Sequence, residues 1–244
     1  MRHNDGGNRP RGGLLRRYFI VWQRDESICK RVFYRSVYEK ITVFTAAYLS
    51  ENFIQAYVVP ERLSGEAMQN GYLRLAFDGR TLRNTETDAA VRSEYDRLSA
   101  QYGDDSYDGY MVPHSTEALG VVCSAIEVVC DRAFDGTHAP GASLGDLTKV
   151  CAVSFRDFIA GGYDRTSAGA DFPAEFDGLG FYDGPGAAPL FAKLTELEPD
   201  DLTLIGPEFY LCFTQRPEPG SYRFTVTVRT ESGDLQTEVE ADFE

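Results

Sequence analysis

The chain has 244 residues, of which 43% are hydrophobic and 25% charged, a composition that excludes global disorder and allows a core without disulfides or metals. Its net charge of −14 is uneven: residues 1–40 hold ten basic and four acidic side chains, whereas residues 41–244 hold fourteen and thirty-four. Because the acidic part repels nucleic acid and anionic lipid, we expect no nucleic-acid partner.

The basic first forty residues are interpreted separately from the rest. Residues 1–13 are rich in Gly, Arg and Asn and are expected to be disordered. Arg16 and Arg17 precede an apolar run of only five residues, shorter than the roughly 7–15 of a secretory signal. We therefore expect residues 1–40 to be a basic, partly disordered segment or a leader remnant. Residues 41–244 are expected to form the folded domain.

Apolar runs, several of them alternating with polar residues, predict a series of short strands in this domain. Pro60 is expected to stop the second strand, and Asp78-Gly79 to close the third. The predicted strands cover residues 41–49, 55–59, 71–77, 121–130, 191–197 and 208–214, followed by a hairpin of 221–230 and 235–241. In that hairpin the apolar residues of the first strand share one parity, which is typical of a half-buried strand.

One segment has a helical period instead. Val91, Tyr95, Leu98 and Tyr102 recur at the spacing of one helix face. Thr85 with Asp88 gives a capping-box-like start, so a helix is predicted near 85–102. The Gly-, Asp- and Pro-rich stretch 160–189 predicts an irregular surface loop. The expected fold is mainly β: an antiparallel immunoglobulin-like β-sandwich with one inserted α-helix and a long irregular loop.

The nearly continuous apolar run at 121–130 predicts a central strand. It leads into a motif of aspartate, phenylalanine, histidine and a Pro-Gly turn that resembles a group of uncharacterised lipoproteins from Bacteroidota, a domain of unknown function. The motif residues are Asp131, Phe134, Asp135, His138, Pro140, Gly141, Ser143, Leu144 and Asp146. The final hairpin fits the same group, and the resemblance covers residues 41–244. It implies export and attachment to the outer membrane through a lipidated N-terminal cysteine, with no known activity and no catalytic residues. Cys29 is the candidate for lipidation, although Ile28 stands where a small residue is expected.

The five cysteines are predicted to be mainly structural. They stand at 29, 123, 130, 151 and 212, and no pair has the Cys-x-x-Cys spacing of a zinc or redox site. Cys123 and Cys130 are seven residues apart on one strand, which predicts opposite faces and no bridge between them. The later four are expected to be free, buried thiols.

A calcium site is the first candidate for chemistry. Asp104, Ser106 and Asp108, followed by glycine, place oxygen donors as in the first half of an EF-hand loop. The twelfth position, which should be glutamate, is Ser115. The alternative is a solvated acidic turn, and no cofactor is expected.

Asp131, Asp135, His138 and Asp146 form the second candidate, a metal or acid/base cluster. The alternative is that the aspartates cap turns while His138 bonds its own loop. No nucleophile elbow and no phosphate loop occur in the sequence. A hydrolase that uses a pair of carboxylates is a further alternative, and thirty-eight acidic residues single out no particular pair.

Tyrosines are concentrated in two loops, where exposed aromatics would suit recognition of a protein or a glycan. The alternative is that they fold over the edge of the sandwich. They are Tyr102, Tyr107, Tyr110, Tyr163 and Tyr182. The function expected from the sequence is therefore a non-enzymatic envelope or cell-surface protein that binds a protein or glycan ligand through its loops. A calcium-dependent binding module and a carboxylate-based hydrolase remain the alternatives.

Overall fold

The structure is a computed structural model that describes residues 30–32, 45–69, 71–111, 116–164, 171–182, 184 and 186–244. The lipidation candidate Cys29 and most of the predicted N-terminal segment lie outside these residues. The described strands are β1 Lys30–Val32, β2 Thr45–Ser50, β3 Ala56–Ala67, β4 Leu73–Arg83, β5 Gly109–Met111, β6 Glu117–Leu119, β7 Cys123–Cys130, β8 Thr148–Ser154, β9 Ala188–Lys193, β10 Glu208–Phe213, β11 Gly220–Thr230 and β12 Gly233–Phe243. The described helices are α1 Ala89–Tyr102 and α2 Arg156–Ala160, with 3₁₀ turns at Ala174–Phe176, Leu194–Glu196 and Pro199–Leu202.

Two sheets enclose the main core, which confirms the prediction of a mainly β fold. A six-stranded sheet has the order β6-β3-β4-β10-β8-β9, and a three-stranded sheet has the order β12-β11-β7. Leu73 and Leu75 of the first sheet share a buried cluster with Phe224, Val226 and Val239 of the second. Every pairing of the larger sheet is antiparallel except that of β3 with β6. The immunoglobulin-like part of the prediction stays a prediction.

The hairpin of β3 and β4 corrects two predicted strand ends. Pro60 does not stop β3, because the pairing register shifts between Pro60 and Arg62 and so leaves an irregularity where a residue without an N–H group is tolerated. Gly79 is not in a turn; it pairs with Pro60, and a Cβ atom there would lie 2.1 Å from the carbonyl oxygen of Val59. The glycine therefore permits the close approach of the two strands at this bulge.

A second irregularity corrects the prediction for the cysteines of β7. In the pairing with β11, Arg229 is opposite Ala125 but Thr230 is opposite Cys123, so Ser124 is an extra residue. A bulge reverses the inward and outward alternation of a strand. Cys123 and Cys130 consequently face the same buried core rather than opposite sides of the sheet.

Helix α1 agrees with the prediction from its period. It begins after Asp88, whose carboxylate accepts hydrogen bonds from the amides of Ala90 and Val91, and it ends at Gly103 in the left-handed conformation. Its buried Tyr95 and Leu98 pack into a second core cluster.

The predicted irregular loop contains more structure than its composition indicated. Its described part includes the turn Ala174–Phe176 and the first two residues of β9, and Phe176 and Leu179 are buried against β8 and β10. The sequence did not predict β8, which is the strand between β10 and β9. Residues 171–182 therefore cover part of the sheet face that lies opposite the main core. In the described part of the chain, no helix has both the length and the apolarity required to cross a bilayer.

Candidate functional site

The candidate site lies on this outer face of the six-stranded sheet, beside the part that residues 171–182 cover. The register places Ser64 opposite Ala76 and Glu66 opposite Arg74. A pocket of about 250 Å³ opens there, lined by Ser64, Gly65, Glu66, Arg74 and Ala76. The small residues leave room above the strands, and the charged pair supplies the polar groups.

A row of charged side chains crosses three strands at the pocket. The Arg74 guanidinium donates to Glu66 Oε1 at 2.7 Å and to Glu208 Oε2 at 2.5 Å. These hydrogen bonds, that to Glu208 first, raise the pKa of Arg74. The Arg74 side chain remains 42% exposed. The two ion pairs use two of the five N–H donors of a guanidinium, so donors remain to face the pocket.

Tyr210 connects this row to the covering segment. Its hydroxyl lies 2.5 Å from Glu208 Oε1 and 2.8 Å from the carbonyl oxygen of Leu179. Burial, together with the hydrogen bond to Glu208, raises the pKa of Tyr210 to about 12, so it is a neutral donor at physiological pH. The orientation of Glu208, and through it Arg74, is therefore coupled to the position of residues 171–182.

The loop after β7 brings together three of the four residues of the predicted acid/base cluster. His138 Nδ1 lies 2.9 Å from Asp135 Oδ1, and Nε2 lies 3.1 Å from Asp146 Oδ1. Asp131 is separate from this cluster, since its carboxylate accepts a hydrogen bond from the amide of Arg223. The contacts of the alternative interpretation, capping aspartates and a histidine bonded within its loop, are therefore present.

The electrostatics of this loop favour a charged pair. The hydrogen bond to Asp135 raises the pKa of His138, and Asp146 adds to the effect. Hydrogen bonds from the Thr137 amide and from His138 lower the pKa of Asp135. A histidine with a carboxylate at each ring nitrogen has no ring atom left to accept a proton from a substrate. The arrangement closes a loop and is a weak basis for acid/base chemistry.

The structure places the three residues of the predicted calcium site in different environments. Asp104 is fully buried, and its two carboxylate oxygens accept the amides of Phe53 at 2.7 Å and Ile54 at 2.8 Å. Ser106 and Asp108 are exposed. Within the described ranges, no three His, Cys, Asp or Glu side chains are grouped as a metal site would require. Calcium binding by Asp104, Ser106 and Asp108 stays a prediction.

Asp104 instead connects the loop before β3 to the end of α1. Burial raises the pKa of its carboxyl group to about 6, while the hydrogen bonds from Phe53 and Ile54 oppose that rise. The hydroxyl of Tyr163 lies 3.1 Å from Asp104 Oδ1 and adds a contact from the loop after α2. The spacing of Asp104 from its partners, 50 and 51 residues, explains why no local motif indicates this role.

Most of the predicted recognition tyrosines pack inward. Tyr107 and Tyr163 make edge-on contact at a centroid distance of 5.1 Å, and Tyr102 stacks on the buried Tyr57 at 5.9 Å. Tyr182 lies 6.2 Å from Phe155. Tyr110 is the exception, with 53% of its surface exposed. These loops consequently offer less aromatic surface for recognition than the sequence indicated.

Fold and site together define a mainly β protein with an open polar pocket on a sheet face. Sequence reasoning missed this pocket, although the alternation of polar residues along β3 and β4 is a weak signal for an accessible sheet face. No protein-family model, curated protein or solved structure matches the chain. Function therefore has to be inferred from the pocket and its chemistry.

Proposed function

We propose that this protein is a non-enzymatic binding protein of the cell envelope and that its ligand is a glycan held in the pocket beside Arg74. The observation that carries the proposal is the row Glu66–Arg74–Glu208, in which a guanidinium stands between two carboxylates. Sugar hydroxyls both donate and accept hydrogen bonds. A row that offers acceptor, donor and acceptor on neighbouring strands, about 4.8 Å apart, suits hydroxyls spread along a sugar chain that lies across the strands.

The ion pairs prepare the site for such a ligand. Arg74 and its glutamates hold each other in place before a ligand arrives, so less side-chain entropy is lost on binding. The open form of the pocket suits a chain that lies across the sheet, and the acidic surface disfavours anionic ligands. A neutral oligosaccharide is therefore the ligand class that we propose.

Binding of soluble oligosaccharides tests this proposal. Neutral β- and α-linked hexasaccharides are titrated against the full chain by calorimetry, and we expect one class to bind. The Arg74→Ala variant is expected to weaken that binding at least about tenfold, because it removes the donor between the two carboxylates. Arg62→Ala is the matched control, since Arg62 is an exposed arginine of β3 that pairs with Asp78.

Three outcomes would contradict the proposal: no binding in the panel, equal loss with Arg62→Ala, or retention of binding in Arg74→Ala. Release of reducing ends during the incubation would favour the hydrolase alternative, in which Glu66 and Glu208 act as the carboxylates. Against that alternative, a general acid of this chemistry is typically held in an apolar setting, whereas both glutamates contact Arg74. A rise in melting temperature when millimolar calcium is added without any oligosaccharide would favour the calcium-dependent module.

The envelope location is supported by the resemblance of the motif from Asp131 to Asp146. Mass spectrometry of the mature protein from its native cells tests it. We expect the protein in the membrane fraction, with a lipid-modified cysteine at its N-terminus. An unmodified N-terminus in the soluble fraction would contradict the location without affecting glycan binding.

A further inference from the structure

Two cysteine side chains are in contact on the outer face of the six-stranded sheet. Cys151 of β8 and Cys212 of β10 have their Sγ atoms 3.9 Å apart. The register pairs Cys151 with Tyr210 and Cys212 with Lys149, so the two cysteines are diagonal neighbours on adjacent strands. The remaining described cysteines, Cys123 and Cys130, lie in the main core.

We propose that Cys151 and Cys212 are a reversible redox pair, which closes to a disulfide by exchange with a low-molecular-weight disulfide such as oxidised glutathione. The two Sγ atoms are already at van der Waals distance, and a bond requires them to approach from 3.9 Å to about 2.05 Å, with some movement of the strands that carry them. This modification is independent of any glycan in the pocket.

The two thiols have different environments, and the difference assigns their roles. Cys212 is 7% exposed, whereas Cys151 is fully buried. A hydrogen bond from the Cys151 thiol lowers the pKa of Cys212, and the Lys149 ammonium adds to this effect against the cost of burial. The same hydrogen bond, with burial, raises the pKa of Cys151. Cys212 is therefore the attacking thiolate and Cys151 the resolving thiol.

The groups around the pair are mixed in charge. Lys149 places its Nζ atom 4.3 Å from the centre of the Phe191 ring and favours a thiolate, whereas Glu175 disfavours one. The hydroxyl of Tyr72 is close enough to hydrogen bond to Cys212. Phe176 and Leu179 of the covering segment pack over the pair. A small disulfide reaches Cys212 where this cover leaves it exposed.

The exchange balances in two steps. The Cys212 thiolate attacks one sulfur of oxidised glutathione, which forms a mixed disulfide and releases one glutathione thiolate. Cys151 then loses its proton to the released thiolate and attacks Cys212 Sγ, which expels the second glutathione. The protein loses two hydrogen atoms and one disulfide molecule is reduced to two thiols.

The diagonal position predicts that the bond is readily reduced. Diagonal neighbours on antiparallel strands have Cα atoms about 7–8 Å apart, whereas disulfides usually span at most about 6.8 Å. Closing the bond must draw β8 and β10 together beneath the covering segment. Disulfides that strain the surrounding structure are more easily reduced than relaxed ones. Reduced glutathione is therefore expected to reduce the Cys151–Cys212 disulfide.

Peptide mapping of the full chain tests the proposal. The reduced protein is incubated under native conditions with oxidised glutathione, its free thiols are alkylated, and it is digested with trypsin. We expect the peptides 150–156 and 194–223 to be joined, while Cys123 and Cys130 in peptide 98–132 remain alkylated. Reduced glutathione should then abolish the joined peptide. Alkylation of both Cys151 and Cys212 at every glutathione ratio would overturn the proposal, as would joining only in denaturant.

Single substitutions test the two roles. With Cys151→Ser, the glutathione adduct on Cys212 is expected to accumulate, because the resolving thiol is absent. With Cys212→Ser, we expect at least about a tenfold loss of modification at Cys151, which is buried. Cys123→Ser is the control and should leave the joined peptide unchanged. Equal adducts on Cys151 and Cys212 in the two variants would overturn the assignment of roles.

Discussion

Asp104 shows how a residue can be prominent in the sequence for one reason and important in the structure for another. Its neighbours in the chain indicated a calcium loop, but its carboxylate accepts two backbone amides from Phe53 and Ile54. An aspartate in a turn is commonly explained by local bonds. Here the partners are about fifty residues away, so only the folded chain reveals the contact.

Removing this carboxylate should destabilise the fold. Asp104→Ala leaves the amides of Phe53 and Ile54 without their acceptors in a buried region, at a cost of about 1–3 kcal/mol for each unsatisfied group. We expect the free energy of unfolding at neutral pH to fall by about 3 kcal/mol, measured by urea denaturation. Asp105→Ala, an exposed neighbour, is expected to change it by less than about 0.5 kcal/mol.

The Asp104→Ala variant also predicts a dependence of stability on pH. Folding raises the pKa of Asp104 from 3.8 to about 6. The stability linked to this group is therefore complete below pH 3.8 and is lost as pH rises through about 6. The penalty of Asp104→Ala should consequently grow as pH falls through this range, measured by urea denaturation at each pH. A penalty that shrinks on acidification would contradict the assigned shift.

The motif around His138 was predictable in part. Turn formation by its aspartates follows from residue type, and the structure shows Asp135 accepting the amides of Thr137 and His138. The contact of His138 with Asp146 depends on how the loop folds back along β7, where the amide of Leu144 bonds the carbonyl of Val128. Residue type indicated the chemistry available, and tertiary structure decided which groups meet.

At the scale of the elements, the hydrophobic period predicted helices and strands well, whereas proline and glycine predicted strand ends poorly. The final hairpin and helix α1 agree with the predictions, because each has a buried face of regular period. The strand predicted at 121–130 is present as β7, but it lies at the edge of its sheet rather than in the centre. Pro60 and Gly79 were misinterpreted as ends. Proline and glycine are both typical of loops when only the local sequence is considered. In the long β3–β4 hairpin, however, the bulge tolerates Pro60 and requires Gly79.

The bulge makes a specific prediction for Gly79. A methyl group at this position would lie 2.1 Å from the Val59 carbonyl oxygen, and backbone cannot move aside as a side chain can. Gly79→Ala should therefore lower the free energy of unfolding by about 2–3 kcal/mol, by the cost of overpacking. Gly136→Ala is the matched control, since nothing lies within 4 Å of its added Cβ atom. Equal stability of the two variants in urea would show that the bulge adjusts freely.

At the scale of the whole molecule, the outer face of the larger sheet carries the chemistry. Glu66, Arg74 and Glu208 come from three strands, β3, β4 and β10. Cys212 lies on the same face of β10, and Cys151 lies on the next strand, β8. Residues 171–182 cover one part of that face and leave the other part open as the pocket. A disulfide between β8 and β10 would act next to Tyr210, which contacts both Glu208 and the cover.

The sequence by itself determined the class of the protein, because the strand and helix periods are local properties of the chain. It also determined that residues 1–40 are basic and residues 41–244 acidic, since net charge follows from composition alone. Only the tertiary structure decided where the site lies. Arg74 and Glu208 are 134 residues apart, and Cys151 and Cys212 are 61 apart. Their meeting depends on strand order and on the pairing registers of β4 with β10 and of β10 with β8, which no local pattern specifies.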